Sequence, residues 1–168
     1  MRNTLWSIVV LIGWVIVPPQ AQADEGGWAF GAKLAYFETD EDGVDDPDNA
    51  GLLIGYDWPV KYGLLGVEAE FTSTFEDGRF AGQDVDVDTA GIYAAFRTRG
   101  RLAQGVGLYL KGKAGAAYTD VGLGSESDDS TDASVGVGIG VNMLLVSFEM
   151  EYTILESDID MVSLLVRF

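Results

Sequence analysis

Two glutamate pairs, Glu68 with Glu70 and Glu149 with Glu151, stand two residues apart in stretches where apolar residues fill the alternate positions, as do Lys111 and Lys113. In a strand that spacing puts both members of a pair on one face. Facing carboxylates can do general acid or base work, whereas carboxylates facing ammonium and guanidinium groups close an ion-pair network. The network is the simpler outcome, because Lys33, Arg97 and Arg167 alternate onto the same face of their own runs. The chain of 168 residues has no His and no Cys, so neither a Ser-His-acid triad nor a cysteine nucleophile can be assembled, and no catalytic residue is assigned. The acidic run from Asp40 to Asp48 offers the clustered carboxylates that hard cations take, yet it lacks the ligand spacing and closing glutamate of an EF-hand loop. No metal site and no cofactor are assigned. Gly105, Gly107, Gly136, Gly138 and Gly140 lie in strand-like runs with no helix after them, which is not the geometry of a phosphate cradle. A net charge of −17 opposes binding to nucleic acid.

The elements that must position these residues are short alternating runs. Eight candidate strands, 27–38, 49–58, 63–75, 85–98, 104–119, 132–142, 145–156 and 158–168, are separated by polar, Gly-bearing or Pro-bearing breaks. One face of them is apolar: Trp28, Phe30, Leu34 and Tyr36 in the first, Leu52, Ile54, Tyr56 and Trp58 in the second, Val162, Leu164, Val166 and Phe168 in the last. Only the fourth is ambiguous, and Ile92, Ala94 and Phe96 are preferred outward because that turns Arg97 in. The opposite face carries Lys33, Glu68, Glu70, Arg97, Lys111, Lys113, Glu149, Glu151 and Arg167, five bases against four acids. In a soluble sandwich or lipocalin-like barrel that second face would be the apolar core. The inversion therefore predicts an all-β, eight-stranded, antiparallel up-and-down transmembrane barrel, with the charges in its lumen. Eight strands leave an interior that side chains fill, so ion pairs are expected to plug it, Lys111 or Lys113 reaching across the glycines of the sixth strand to Glu149 or Glu151.

The front of the chain reads as an address. Arg2, an apolar stretch from Leu5 to Val17, Pro18-Pro19 and then Ala21-Gln22-Ala23 before Asp24 have the order of a cleaved signal peptide, and the apolar stretch falls short of the ~20 residues of a spanning helix. Residues 1–23 are thus expected to be removed and 24–168 to form the barrel domain. No Cys follows Ala23 to take a lipid or a disulfide. Hydrophobic residues make up 48% of the chain and there are 22 glycines, but no later run is apolar enough for another membrane helix.

The breaks between strands alternate in kind. Those near 39–48, 76–84 and 120–131 are long and acidic; those at Pro59–Tyr62, Thr98–Leu102 and Asn142–Leu145 are short; the seventh, at Glu156–Asp158, is acidic and tight. Long outer loops with short periplasmic turns are the rule for outer-membrane barrels, which would put both termini in the periplasm and the acidic loops outside. Aromatic girdles are expected from Trp28, Tyr56, Trp58 and Phe168 at the short-turn end and from Tyr36, Tyr118 and Tyr152 nearer the loops.

These features resemble the small outer-membrane β-barrels that include the OmpA-like transmembrane domain and the OmpX-like barrels. The most specific part of the resemblance is the C-terminal alternation Leu164, Val166 and Phe168, which matches the positions read by the barrel-assembly machinery in that family; a glycine common a little upstream is missing. The resemblance implies delivery by periplasmic chaperones, insertion into the bacterial outer membrane, and contact with its lipids, lipopolysaccharide included. The chain stops at Phe168, without the peptidoglycan-binding domain of full OmpA-like proteins, so a wall-tethering role is not expected. A monomer with a structural or surface-interaction role is the first expectation. A narrow porin-like channel for small solutes or ions comes second, and a lipid-acting barrel enzyme third, since such small barrels include lipid A deacylases and palmitoyltransferases.

Overall fold

A computed structural model describes residues 26–39, 44–45, 47–80, 82–124, 126–143, 145–155 and 159–168. The expected signal segment and residues 40–43 and 156–158 lie outside the described residues.

The described chain is strands and turns: β1 (Gly27–Thr39), β2 (Val44–Asp45), β3 (Asp48–Val60), β4 (Gly63–Glu76), β5 (Gly78–Phe80), β6 (Gln83–Thr98), β7 (Gly100–Ala103), β8 (Val106–Leu123), β9 (Glu126–Met143), β10 (Val146–Ile154) and β11 (Ile159–Arg167). Eight of these are long, and each pairs antiparallel with its neighbours in the circuit β1, β3, β4, β6, β8, β9, β10, β11 and back to β1. The sheet is therefore a closed up-and-down barrel with no free edge along its long strands. The short β2, β5 and β7 extend its rims. The last residue helps close it, since Phe168 exchanges two backbone hydrogen bonds with Phe30, at 2.8 and 3.2 Å.

Register fixes how the strands lean. The pairing path from Tyr109 runs through Gly140, Glu149, Leu165, Lys33, Gly51, Thr72 and Thr89, and re-enters β8 at Thr119, ten residues further along. Such a shear tilts every strand against the barrel axis and staggers inward side chains into a spiral. Residues far apart in sequence thereby meet in the lumen.

Alternation decides which face goes where. Leu52, Ile54, Trp58, Leu65, Val67, Phe71, Ile92, Phe96, Leu110, Val137, Phe148, Met150 and Leu164 are exposed on the outside, and the interleaved residues are buried. The fourth long strand turns Ile92 and Phe96 outward and Arg97 inward.

The break near 120–131 is not a loop. β8 and β9 stay paired to Leu123 and Glu126, where Gly124 makes the turn with φ +62°, a left-handed conformation that a side chain disfavours. Acidic composition suggests a loop, but alternation persists beneath it: Val85, Val87, Ala117 and Phe37 stay buried while Asp84, Asp86 and Asp129 stand exposed. At the loop end the two faces thus exchange character. Outside, the apolar belt gives way to a row of carboxylates in which Asp88 pairs with Asp120 and Asp120 with Asp129 across three strands. Inside, charged residues give way to an apolar cluster of Ala35, Phe37, Val87, Ala117, Leu155 and Met161, flanked by Val121 and Ile159.

Crowding of like charges there has a measurable cost. Partial burial, and then the neighbouring carboxylates Asp88, Asp77 and Asp120, push the Asp86 carboxyl above the usual range. The folded protein holds that proton more tightly than the unfolded chain, so ionising Asp86 removes stability as pH rises above its unfolded value of about 4. Asp86→Asn should raise the thermal midpoint at neutral pH and low salt and leave it unchanged near pH ~3, below both values. An equal shift at both pH values would show that crowding is not its cause.

Candidate functional site

The lumen below the apolar cluster holds the charged residues, each supplied by a strand that alternates it inward. Lys33 comes from β1, Asp57 from β3, Glu68 and Glu70 from β4, Arg97 from β6, Lys111 and Lys113 from β8, Glu149 and Glu151 from β10, and Arg167 from β11. All ten are buried.

They form one connected network. Lys33 Nζ lies 2.6 Å from Glu70 and 3.2 Å from Glu151, and Lys113 Nζ lies 2.9 Å and 2.7 Å from the same two glutamates. Lys111 Nζ sits among three carboxylates, 2.8 Å from Glu68, 2.9 Å from Glu149 and 2.6 Å from Glu151. Towards the short-turn end Arg97 bridges Asp57, Glu68 and Glu149, and Arg167 donates to Asp57 and approaches Glu68 at 4.0 Å. Every base meets at least two acids, and every acid at least two bases. Among the described residues, five positive and five negative groups leave the lumen neutral. A buried charge without a partner would cost several kcal/mol, so this mutual coverage is what allows ten ionised groups to be packed in so narrow a space.

Neutral groups complete the packing. Tyr109 donates to Glu149 Oε2 at 2.8 Å, and Lys113 Nζ stands 4.0 Å above the ring of Tyr93, a cation–π contact. The glycines of β9 make room for these side chains: a Cβ on Gly140 would lie 2.2 Å from Tyr109 Cζ, and one on Gly136 would lie 2.9 Å from Lys113 Cε. Between the charges and the apolar cluster lies a hydrogen-bonded layer. There Asn49 donates to the Val87 carbonyl, and the hydroxyls of Thr72 and Thr89 are hydrogen-bonded at 2.7 Å, either one able to donate.

The structure brings together all nine lumen residues expected from sequence, and adds Asp57. Asp57 lies inside the expected 49–58 strand, where strict alternation with Tyr56 and Trp58 points it inward, yet the expected list of inward charges omits it. Of the C-terminal signal residues, Leu164 is exposed on the apolar face and Val166 and Phe168 are half-buried. Among the described residues no group of three or more His, Cys, Asp or Glu is placed to hold a metal ion, and the Asp40–Asp48 run lies mostly outside them.

A closed eight-strand sheet with lipid-compatible residues outside and ion pairs inside defines a small transmembrane β-barrel. The family model for the outer membrane protein beta-barrel domain matches residues 7–161, and the chain belongs to that family. It is accordingly an outer-membrane β-barrel protein of the bacterial envelope. Among solved structures it resembles Ail, the attachment invasion locus protein of Yersinia pestis, at 17% identity and a TM-score of 0.56 over 86% of this chain and 99% of that one. It also resembles Neisserial surface protein A, at 15% identity and a TM-score of 0.60 over 83% of this chain and 94% of that one. The outer membrane enzyme PagL matches at 14% identity and a TM-score of 0.56, over 82% and 98% of the two chains. At these identities the likeness is one of fold. A search of curated proteins finds no match.

Proposed function

We propose that the protein is a monomeric, non-conducting outer-membrane barrel with a structural or surface-interaction role. Its termini and short turns would face the periplasm and its acidic loop end the outside. The observation that carries this reading is the lumen. A neutral ten-residue network, a polar layer and an apolar cluster lie in series along the axis, so a solute would have to break ion pairs and then cross a dry segment. The carboxylates that could do acid–base chemistry are all spent on Lys and Arg partners, which argues against an enzyme despite the fold shared with PagL. In this reading the C-terminal residues Leu164, Val166 and Phe168 serve recognition by the barrel-assembly machinery, and periplasmic chaperones deliver the chain.

Planar-bilayer recordings test it. The wild-type protein should insert without defined conductance steps. Regular steps from the wild-type protein would overturn the reading in favour of a narrow channel. Turnover of lipid A by the purified protein would overturn it in favour of an enzyme.

A further inference from the structure

The exposed bases are not spread over the molecule. Of the nine Lys and Arg that follow Arg2, five lie in the lumen, and Arg79 sits at the loop end, 3.9 Å from Asp84. The remaining three, Lys61, Arg99 and Arg101, are exposed at the short-turn end. They also share one sector of it. Gly63 pairs with Thr98, which sets the Lys61-Tyr62 turn beside Arg99, and Arg101 follows in β7. Among the described residues the acid at this end is Asp57, which points inward and is paired with Arg97 and Arg167.

The same sector is aromatic. Trp28 meets Tyr56 edge-on with ring centroids 5.4 Å apart, Tyr56 meets Trp58 at 4.9 Å, and Lys61 Nζ stands 4.9 Å over the Tyr62 ring. Leu102 and Tyr62 are exposed at the turn tips. Trp and Tyr seat at the headgroup level of a bilayer, with apolar ring edges towards the chains and polar atoms towards water. Bases just beyond them then stand at the height of the lipid phosphates. The third short turn, with Met143 and Leu145 exposed, carries no charge, so the basic character is confined to the β3 to β8 side.

We propose that this sector, Trp28, Trp58, Lys61, Tyr62, Arg99 and Arg101, binds anionic phospholipid headgroups and gives the barrel a preferred lipid at one side of its short-turn rim. The inference rests on the reading of the protein as a membrane barrel. Charge complementarity and continuity with the apolar belt commit the surface to a lipid. Its −17 chain would otherwise be repelled by an anionic bilayer, which makes a local preference diagnostic.

After Ala23 the only tryptophans are Trp28 and Trp58, both in this sector, so their emission reports it. The full-length protein, in a W6F/W14F background, is reconstituted in phosphatidylcholine vesicles containing equal fractions of either brominated phosphatidylglycerol or brominated phosphatidylcholine. Brominated phosphatidylglycerol should quench at least about twofold more effectively at low salt. The preference should vanish in high salt and in K61Q/R99Q/R101Q, whose folding is checked by its heat-shifted mobility; K61Q alone, with partial loss, serves if the triple variant does not fold. Equal quenching by the two lipids, or a preference that survives the triple substitution, overturns the proposal. Quenching by neither lipid overturns the membrane-barrel reading and the proposal with it.

Discussion

Glu151→Lys should abolish the heat-resistant folded form of the protein in detergent, the largest loss expected from any single charge change. Glu151 lies within 3.2 Å of Lys33, 2.6 Å of Lys111 and 2.7 Å of Lys113, and also accepts from Thr153 at 3.1 Å. Removing it leaves Lys33 and Lys113 to share Glu70; reversing it adds a sixth cation among buried groups. Truncating one partner of a buried ion pair costs about 3–5 kcal/mol, a large part of the roughly 5–15 kcal/mol by which a domain is stable. Glu151→Gln, which keeps an acceptor, should fall between wild type and Glu151→Lys. Pairing Glu151→Leu with Lys113→Met should restore part of the loss, because an apolar pair of similar volume needs no counter-charge. Thermal unfolding followed by gel mobility ranks the three variants against wild type. An unchanged midpoint for Glu151→Lys would show that the network does not hold the fold.

Gly140→Val should be almost as damaging, although it adds only an apolar side chain to a strand. The Tyr109 ring lies over Gly140, 2.2 Å from where a Cβ would be, so the ring must swing away and release Glu149. Overpacking costs about 1–3 kcal/mol and a lost hydrogen bond to a charged group about 1.5–3 kcal/mol more. Tyr109→Phe loses only the second part and should be the milder change. Tyr109→Ala should suppress Gly140→Val, with the double variant more stable than the two separate losses would add up to. Additive losses in denaturant unfolding would mean that ring and glycine do not compete for the same space.

How far the barrel could be read from sequence follows from where alternation is undisturbed. The eight long strands were legible because residues such as Leu52, Ile54 and Tyr56 alternate with buried partners over a full membrane crossing. The inward position of Lys33, Arg97 and Lys111 follows from the same count. Composition hid what alternation still showed in two places. Asp57 sits within the expected 49–58 strand but next to the aromatic Tyr56 and Trp58 that dominate it, and leaving it out of the inward charges makes the lumen count one base too many. By composition the β8–β9 extension reads as a loop, since Asp120, Asp128 and Asp129 are residue types common in loops; polar residues on an outer face are as compatible with a strand that stands clear of lipid. Contact partners were less legible, because the ten-residue shear decides which glutamate each lysine meets, and register is not written in any one strand.

The exchange of character between the faces of the strands has a consequence for how the barrel leaves a membrane once it has entered. Withdrawal towards the short-turn side would drag Asp88, Asp120 and Asp129 through hydrocarbon, each at several kcal/mol. Slippage the other way would push Trp28 and Trp58 from their interface into hydrocarbon and draw the charged Lys61, Arg99 and Arg101 in after them. The acids behave as barbs and the basic, aromatic rim as a flange. A barrel so fitted is riveted at one depth, and only unfolding releases it.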